Sequence, residues 1–257
     1  EITAKRVQQE TLSQTSVTQE ELNQSNTGQN LPYLLSQTPG LQVTSDDGLG
    51  IGYTYFRLRG TDHTRINMTV NDVPLNDSES QTVFWVNMTD MASSMHQIDV
   101  QRGVGTSTNG GASFGGSLNM KTTDGSKCRT EADRSSVELA FNGGMYNTFR
   151  EMINTHIVLP DHRWKANARF SKVNSDGFLY RTGSDLYSYY GDMGWYGDKT
   201  QVIARLFGGS EKTGMGWDGV DYNTAYGLNG ADRRYNPAGE YTIMDSQGND
   251  STAYYPN

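Results

Sequence analysis

The chain has 257 residues, with 29 glycines, 15 tyrosines and a formal net charge of −8; this excess of acid argues against nucleic acid as a partner. A single cysteine, Cys128, excludes an internal disulfide. No run of about 18 apolar residues offers a transmembrane helix, although strands that cross a bilayer by alternation escape such a count.

Modest aliphatic content with so many glycines and tyrosines fits short strands and many turns, not a helical bundle. The chain opens on Glu1-Ile2-Thr3-Ala4 and Lys5-Arg6, which reads as an exposed extended segment. It is suited equally to adding to a partner's sheet edge and to fraying. Residues 8–30 are polar. Within them Thr18-Gln19-Glu20-Glu21 is a capping box, and it predicts a short helix from about Gln19 to Gln24. Leu31, Leu34 and Leu35 have helical spacing, stopped by Pro39-Gly40. Residues 44–55 read as a loop with aromatic tips, and Phe56–Gly60 alternates as a strand. Asn71-Asp72 stands at turn positions, where aspartate tolerates the turn less easily than glycine. A second polar loop covers residues 76–84, and Asp90 to His96 reads as a helical turn.

The densest pattern lies at residues 98–123. Ile98 and Val100 alternate with polar neighbours up to Arg102-Gly103; Leu118 and Met120 alternate again between Ser117, Asn119 and Lys121. Between the two runs lie Gly103, Gly105, Gly110, Gly111, Gly115 and Gly116. So many glycines imply backbone at positive φ, or packed too closely for a Cβ.

After Thr123 comes a polar linker, Asp124 to Asp133, where a domain boundary belongs. Five alternating runs follow, centred on Val137–Phe141, Ile153–Leu159, Trp164–Phe170, Tyr187–Trp195 and Val202–Gly208. Their connections come in two sizes, very short after Leu159 and Tyr196, longer at 173–185 and after Glu211. Strands of roughly ten residues joined in that way suit an outer-membrane barrel, with Trp164 and Trp195 at the level of an aromatic girdle. A soluble β-sandwich alternates too, so the strands alone leave both open.

No catalytic constellation emerges. His63, His96, His156 and His162 are scattered without metal-ligand spacing. No nucleophile elbow or phosphate loop is present. The chain reads as a non-enzyme without a cofactor.

Several of these stretches together resemble the plug domain of TonB-dependent outer-membrane receptors. They are Pro39-Gly40-Leu41-Gln42-Val43, Phe56-Arg57-Leu58-Arg59-Gly60, the Val70-Asn71-Asp72-Val73-Pro74-Leu75 turn, Val100-Gln101-Arg102-Gly103, and Gly115-Gly116-Ser117-Leu118-Asn119 running on to Thr122. The resemblance implies a mainly β chain: an α+β plug over residues 1–123, a linker at 124–134, and from 135 to 257 the first strands and extracellular loops of a large antiparallel transmembrane β-barrel. Receptors with plugged lumens have about 22 strands, so five cannot close, and the chain is expected to be the N-terminal portion of a longer protein.

It implies uptake of a scarce ligand at the Gram-negative outer membrane, a ferric siderophore or other iron chelate first, haem or cobalamin next. TonB of the inner membrane and outer-membrane lipid would be the other partners. Rival readings are a soluble β-sandwich glycan-binding module or adhesin, and a ligand-sensing signalling receptor with an upstream domain. By resemblance, Glu1, Ile2 and Thr3 lie in the TonB-contacting segment, and Arg59 and Arg102 dock the plug on barrel glutamates beyond residue 257. Three plug loops, at 46–55, 76–84 and 105–113, would point toward ligand and offer Tyr53, Tyr55, Asp77, Glu79, Gln81, Thr106, Thr108 and Asn109. Trp217 belongs to a long Tyr-rich stretch, 212–257, whose rings would stack on a flat ligand; loop packing and later strands explain that stretch equally well.

Overall fold

A computed structural model describes residues 13–104, 113–122, 134–179 and 181–214, together with the backbone of 240–244 and 250–254. The chain divides into two compact units, Glu1–Gly216 and Trp217–Asn257.

The first unit begins with strand β1 (Gln14–Thr18) and helix α1 (Gln19–Ser25). The capping box is formed as read: the Glu21 amide donates to Thr18 Oγ1, and the Glu21 carboxylate accepts the Thr18 amide at 2.8 Å. Only Leu22 of α1 is buried, so the cap and one side chain hold the helix in place. Helix α2 (Leu31–Leu34) is a single turn with Pro32 near its start, where a missing N–H costs nothing. Strands β2 (Leu41–Ser45), β3 (Thr54–Leu58) and β4 (Thr61–Asp62) form one small antiparallel sheet.

A second sheet has the order β1-β7-β8-β5-β6, from β5 (Ile66–Val70), β6 (Val73–Pro74), β7 (Met95–Arg102) and β8 (Gly116–Thr122). The β5–β6 turn is Asn71-Asp72, with φ of 49° and 68°. Both residues therefore adopt the left-handed geometry of a tight hairpin turn, which Asp72 accommodates in place of glycine. Gly116 is required by close approach: a Cβ there would lie 2.4 Å from the Gln101 carbonyl oxygen and 2.6 Å from Leu58 Cδ2. Leu58, Ile66, Met68, Met95, Ile98 and Leu118 are buried between the two sheets and form the centre of the core.

Next comes a five-stranded antiparallel wall of β9 (Ser136–Gly143), β10 (Phe149–Val158), β11 (Trp164–Ser175), β12 (Ser184–Tyr196) and β13 (Gln201–Thr213), paired in chain order. It is a single layer, so the sandwich reading of residues 137–208, with its two facing sheets, does not hold. Successive side chains alternate between its faces. Val137, Leu139, Phe141, Met193 and Leu206 stand exposed on the outer face, whereas Arg150, Lys165, Arg169, Ser171 and Asp192 are buried on the inner face. The inner face packs on the N-terminal body, and Tyr190 of β12 joins that body's core.

β11, β12 and β13 run further than the apolar alternation indicates. Lys172, Asn174, Asp185 and Lys212 continue the outer face in polar form, while Val173, Ser175, Ser184 and Leu186 stay buried on the inner face. The ladder thus continues past the apolar band, and the connection between β11 and β12 shrinks to residues 176–183. The two short connections, 159–163 and 197–200, lie at one end of the wall; 176–183 lies at the other. Of the second unit, β14 (Glu240–Met244) and β15 (Asp250–Tyr254) form an antiparallel hairpin.

Candidate functional site

The site is the contact between the N-terminal body and the wall, and Asp90 is its centre. Asp90 precedes a short 3₁₀ turn, Met91–Ser94, and sits at φ 49°, a conformation that costs aspartate less than most residues. That backbone aims a fully buried carboxylate at β10 and β11. Arg150 donates Nε to Asp90 Oδ2 at 3.1 Å and brings a second nitrogen to 3.0 Å; an Arg169 nitrogen lies 3.5 Å away. Ser171 and Ser93 donate their hydroxyls to the same carboxylate, and Asn26 donates its amide to Oδ1 at 2.9 Å. The two arginines are tied down in turn, Arg150 to Asn142 and Ser93, Arg169 to Ser94 and Ser188.

Burial alone would push the Asp90 carboxyl up. The Arg169 and Arg150 guanidiniums and the Ser171 and Ser93 hydroxyls outweigh it and hold the group below the usual carboxylate range. A charge this deep survives only when paired and hydrogen-bonded, so the body and the wall are mutually dependent here.

A second contact lies beside the long-connection end of the wall. Asp47, nearly fully buried, accepts the amides of Leu49, Gly50 and Ile51 on its carboxylate, which folds loop 46–53 around itself. Its backbone carbonyl accepts the amides of Phe178 and Leu179 at 2.9 and 3.3 Å. Ile51 packs with Val173 and Leu186 of the wall. Between residues 53–56, where the loop enters β3, and residues 82–85 lies a crevice of about 110 Å³ lined by Tyr53, Tyr55, Phe56, His63, Phe84 and Trp85. Of these Phe56 and Trp85 are buried, their rings tilted with centroids 6.1 Å apart.

Residues 6–117 match the family model of the TonB-dependent receptor plug domain. This chain carries a TonB-dependent receptor plug. A plug of this family places it at the outer membrane of a Gram-negative cell. No curated protein matches the chain.

Solved structures share the fold of plug and wall together. The P. aeruginosa FpvA structure titled as bound to heterologous pyoverdines is 17% identical with a TM-score of 0.62, over 93% of this chain and 28% of that one. The siderophore receptor PirA of Acinetobacter baumannii is 15% identical, TM-score 0.57, over 79% and 32%. A structure titled copper transporter OprC is 13% identical, TM-score 0.63, over 80% and 31%. The chain thus spans about a third or less of the solved structures it matches.

In the Asp90 cluster the carboxylate is on the plug and the guanidiniums are on the wall; the glutamates expected for Arg59 and Arg102 belong beyond residue 257. Arg102 ends β7 with a nitrogen donating to Thr15 of the plug itself. Arg59, at φ 51°, lays its stem over Gly40. Tyr53 and Tyr55 come together in the aromatic crevice. Asp77 caps its own turn, accepting from the amides of Glu79 and Ser80 and from the Ser80 hydroxyl; these bonds, led by the Ser80 amide, lower its carboxyl below the usual range. Gln81, at φ 58°, donates to the Ser78 carbonyl, so its side chain likewise closes the loop, while Glu79 is exposed.

The connection between β7 and β8 leaves from Arg102 and returns at Gly116, the sheet end away from Met95 and Asp90. Thr106, Thr108 and Asn109 on it lie outside the described residues, as do Glu1, Ile2, Thr3 and Trp217. Among the described residues no group of three or more His, Cys, Asp or Glu forms a metal site, and no helix is long and apolar enough to cross a membrane.

Proposed function

We propose that the chain is the N-terminal part of an outer-membrane receptor for TonB-dependent uptake of a scarce ligand, a ferric siderophore or other iron chelate. The observation that carries this reading is the buried Asp90 cluster, which ties the plug to the polar inner face of a wall whose outer face is apolar. Such a polar seal is strong while fully bonded and costly when any partner is withdrawn, as a gate driven by an external energy source requires. Ligand alone shifts only what it binds differentially, so uphill movement needs the inner-membrane partner to act on the segment before β1.

The aromatic crevice beside loop 46–53 supports a ligand with a flat ring, and Tyr53 and Tyr55 are its proposed contacts. The fold is equally that of a copper transporter, so the test covers the metal as well. A strain lacking the whole receptor is complemented with it and fed iron-55 as a ferric catecholate, iron-55 as a ferric hydroxamate, or copper-64. Saturable iron accumulation that disappears when TonB is deleted supports the reading. Copper accumulation alone would replace the ligand class, and accumulation indifferent to TonB would overturn the function.

A further inference from the structure

We propose that Asn26 couples the N-terminal segment to the Asp90 lock, so that withdrawing β1 and α1 loosens the plug's hold on the wall at a specific side chain. The inference rests on the transport reading for its purpose, but its geometry is independent of it.

The segment before Asn26 is lightly held. β1 is an edge strand paired only with β7, from Gln14 opposite Gln101 to Thr18 opposite Gln97. Side-chain bonds reinforce it from Ser16 to Asp99 at 2.7 Å and from Arg102 to Thr15, Ser13 just before it bonds Arg102 and Gln101, and Val17 packs partly buried on the core. α1 adds one buried side chain, Leu22. A strand peeled from its free end breaks its ladder one bond at a time, and a two-turn helix with one apolar anchor gives little further resistance.

Asn26 is different in kind. It is 4% exposed, and every polar group of its side chain is used. Nδ2 donates to Asp90 Oδ1 and to Ser93 Oγ, each at 2.9 Å, and Oδ1 accepts the Gly28 amide at 3.0 Å. Its backbone amide closes α1 by donating to the Leu22 carbonyl. Asn26 is therefore at once the C-cap of the helix and a donor to the lock. The other described donors to Asp90, namely Arg150, Ser171 and Ser93, come from the wall or from the turn that follows Asp90 itself. Gly28, two residues on, is seated against the Val173 and Arg150 side chains of the wall; a Cβ there would lie 3.1 Å from Val173 Cγ1. Displacing the chain at Asn26 thus removes one donor from Asp90 and one from Ser93. It also shifts the backbone that packs on Arg150. Both arginines then lean on a carboxylate that has lost part of its shell.

Hydrogen exchange on the whole receptor in detergent tests this without any partner or ligand. Asn26→Ala is expected to raise exchange of the Asp90–Ser94 amides about tenfold or more, with the core of β5 and β8 unchanged as the control for folding. Val17→Pro, which disrupts the β1–β7 ladder upstream, is expected to raise exchange at Asp90–Ser94 only while Asn26 is present, and to add nothing in the Asn26→Ala background. Asn26→Ser, a shorter donor, is the substitute if the alanine variant does not fold, and an intermediate rise is expected from it. Unchanged Asp90–Ser94 exchange in the Asn26 variants overturns the coupling. So does an equal effect of Val17→Pro with and without Asn26. Because no TonB or ligand enters the measurement, loss of TonB-dependent uptake with this coupling intact would defeat the transport reading alone.

Discussion

Asp90→Asn is the sharpest perturbation of the plug–barrel contact. Asparagine keeps the shape and tolerates the left-handed backbone at φ 49°, so the change isolates charge. It leaves Arg150 and Arg169, both nearly fully buried, without a carboxylate between them, and turns an amide donor toward guanidinium donors. Removing one partner of a buried pair costs about 3–5 kcal/mol. Asp90 is fully buried, so no solvent screening reduces this. At about 1.4 kcal/mol per tenfold, docking of the plug should weaken by roughly two to three and a half powers of ten. Hydrogen exchange of residues 90–94 in the whole receptor reads that ratio directly. Adding Arg150→Met and Arg169→Met to Asp90→Asn should recover part of the loss, because it removes the two unpaired buried charges. If Asp90→Asn exchanges like the wild type to within about 0.5 kcal/mol, typical of an inert surface change, the cluster does not hold the plug.

The same cluster fixes a pH dependence. The Asp90 carboxyl is lower in the folded protein than when unfolded, so its contribution is fully present above the unfolded value of about 3.9 and is lost as pH falls through the lower folded value; acid unfolding of the plug monitored by tryptophan fluorescence should lose that limb in Asp90→Asn. Gly116→Ala should prevent the plug from folding, since its Cβ would meet the Gln101 carbonyl at 2.4 Å; a protease-resistant plug in that variant would refute the register of β7 and β8. Asp47→Ala should release loop 46–53 by freeing three amides, at about 1–3 kcal/mol per buried group left unbonded, seen as new proteolysis near Gly48–Gly50. Leu206→Arg on the outer face should impair barrel insertion by about 2–4 kcal/mol if it lies near the bilayer midplane, whereas Lys212→Ala, beyond the apolar band, should not; equal insertion of both variants in refolding assays would place the band elsewhere.

Much of this architecture is legible in the residues, for physical reasons that differ by element. The capping box at Thr18–Glu21 is local chemistry and reads directly. The five wall strands read from period two, and the phase of that alternation already separates Lys165 and Arg169 from the apolar outer face. Their true ends were hidden because Lys172, Asn174 and Asp185 are polar on the outer face above the apolar band, so hydrophobic contrast vanishes while the ladder continues. Asp90 was illegible for another reason. Nothing in Met88-Thr89-Asp90-Met91-Ala92 marks a left-handed residue, and its partners lie 60 and 79 positions away. Arginine-glycine strand ends mark Arg59 and Arg102 as docking charges by resemblance, toward glutamates beyond residue 257, and no comparable motif marks a carboxylate inside a turn. Asp77 and Gln81 stand exposed in a polar loop, and their side chains also help to fold it.

The buried Asp90 carboxylate, with the Asp47 loop as a second contact, fastens the plug to the wall that begins at Ser136. A cryo-electron-microscopy structure of the whole receptor in lipid nanodiscs tests it most directly. Ser136–Thr213 should appear as five neighbouring barrel staves, with Asp90 bonded to Arg150 and Arg169 in the lumen. A solvated Asp90, or Ser136–Thr213 outside the barrel wall, would contradict it.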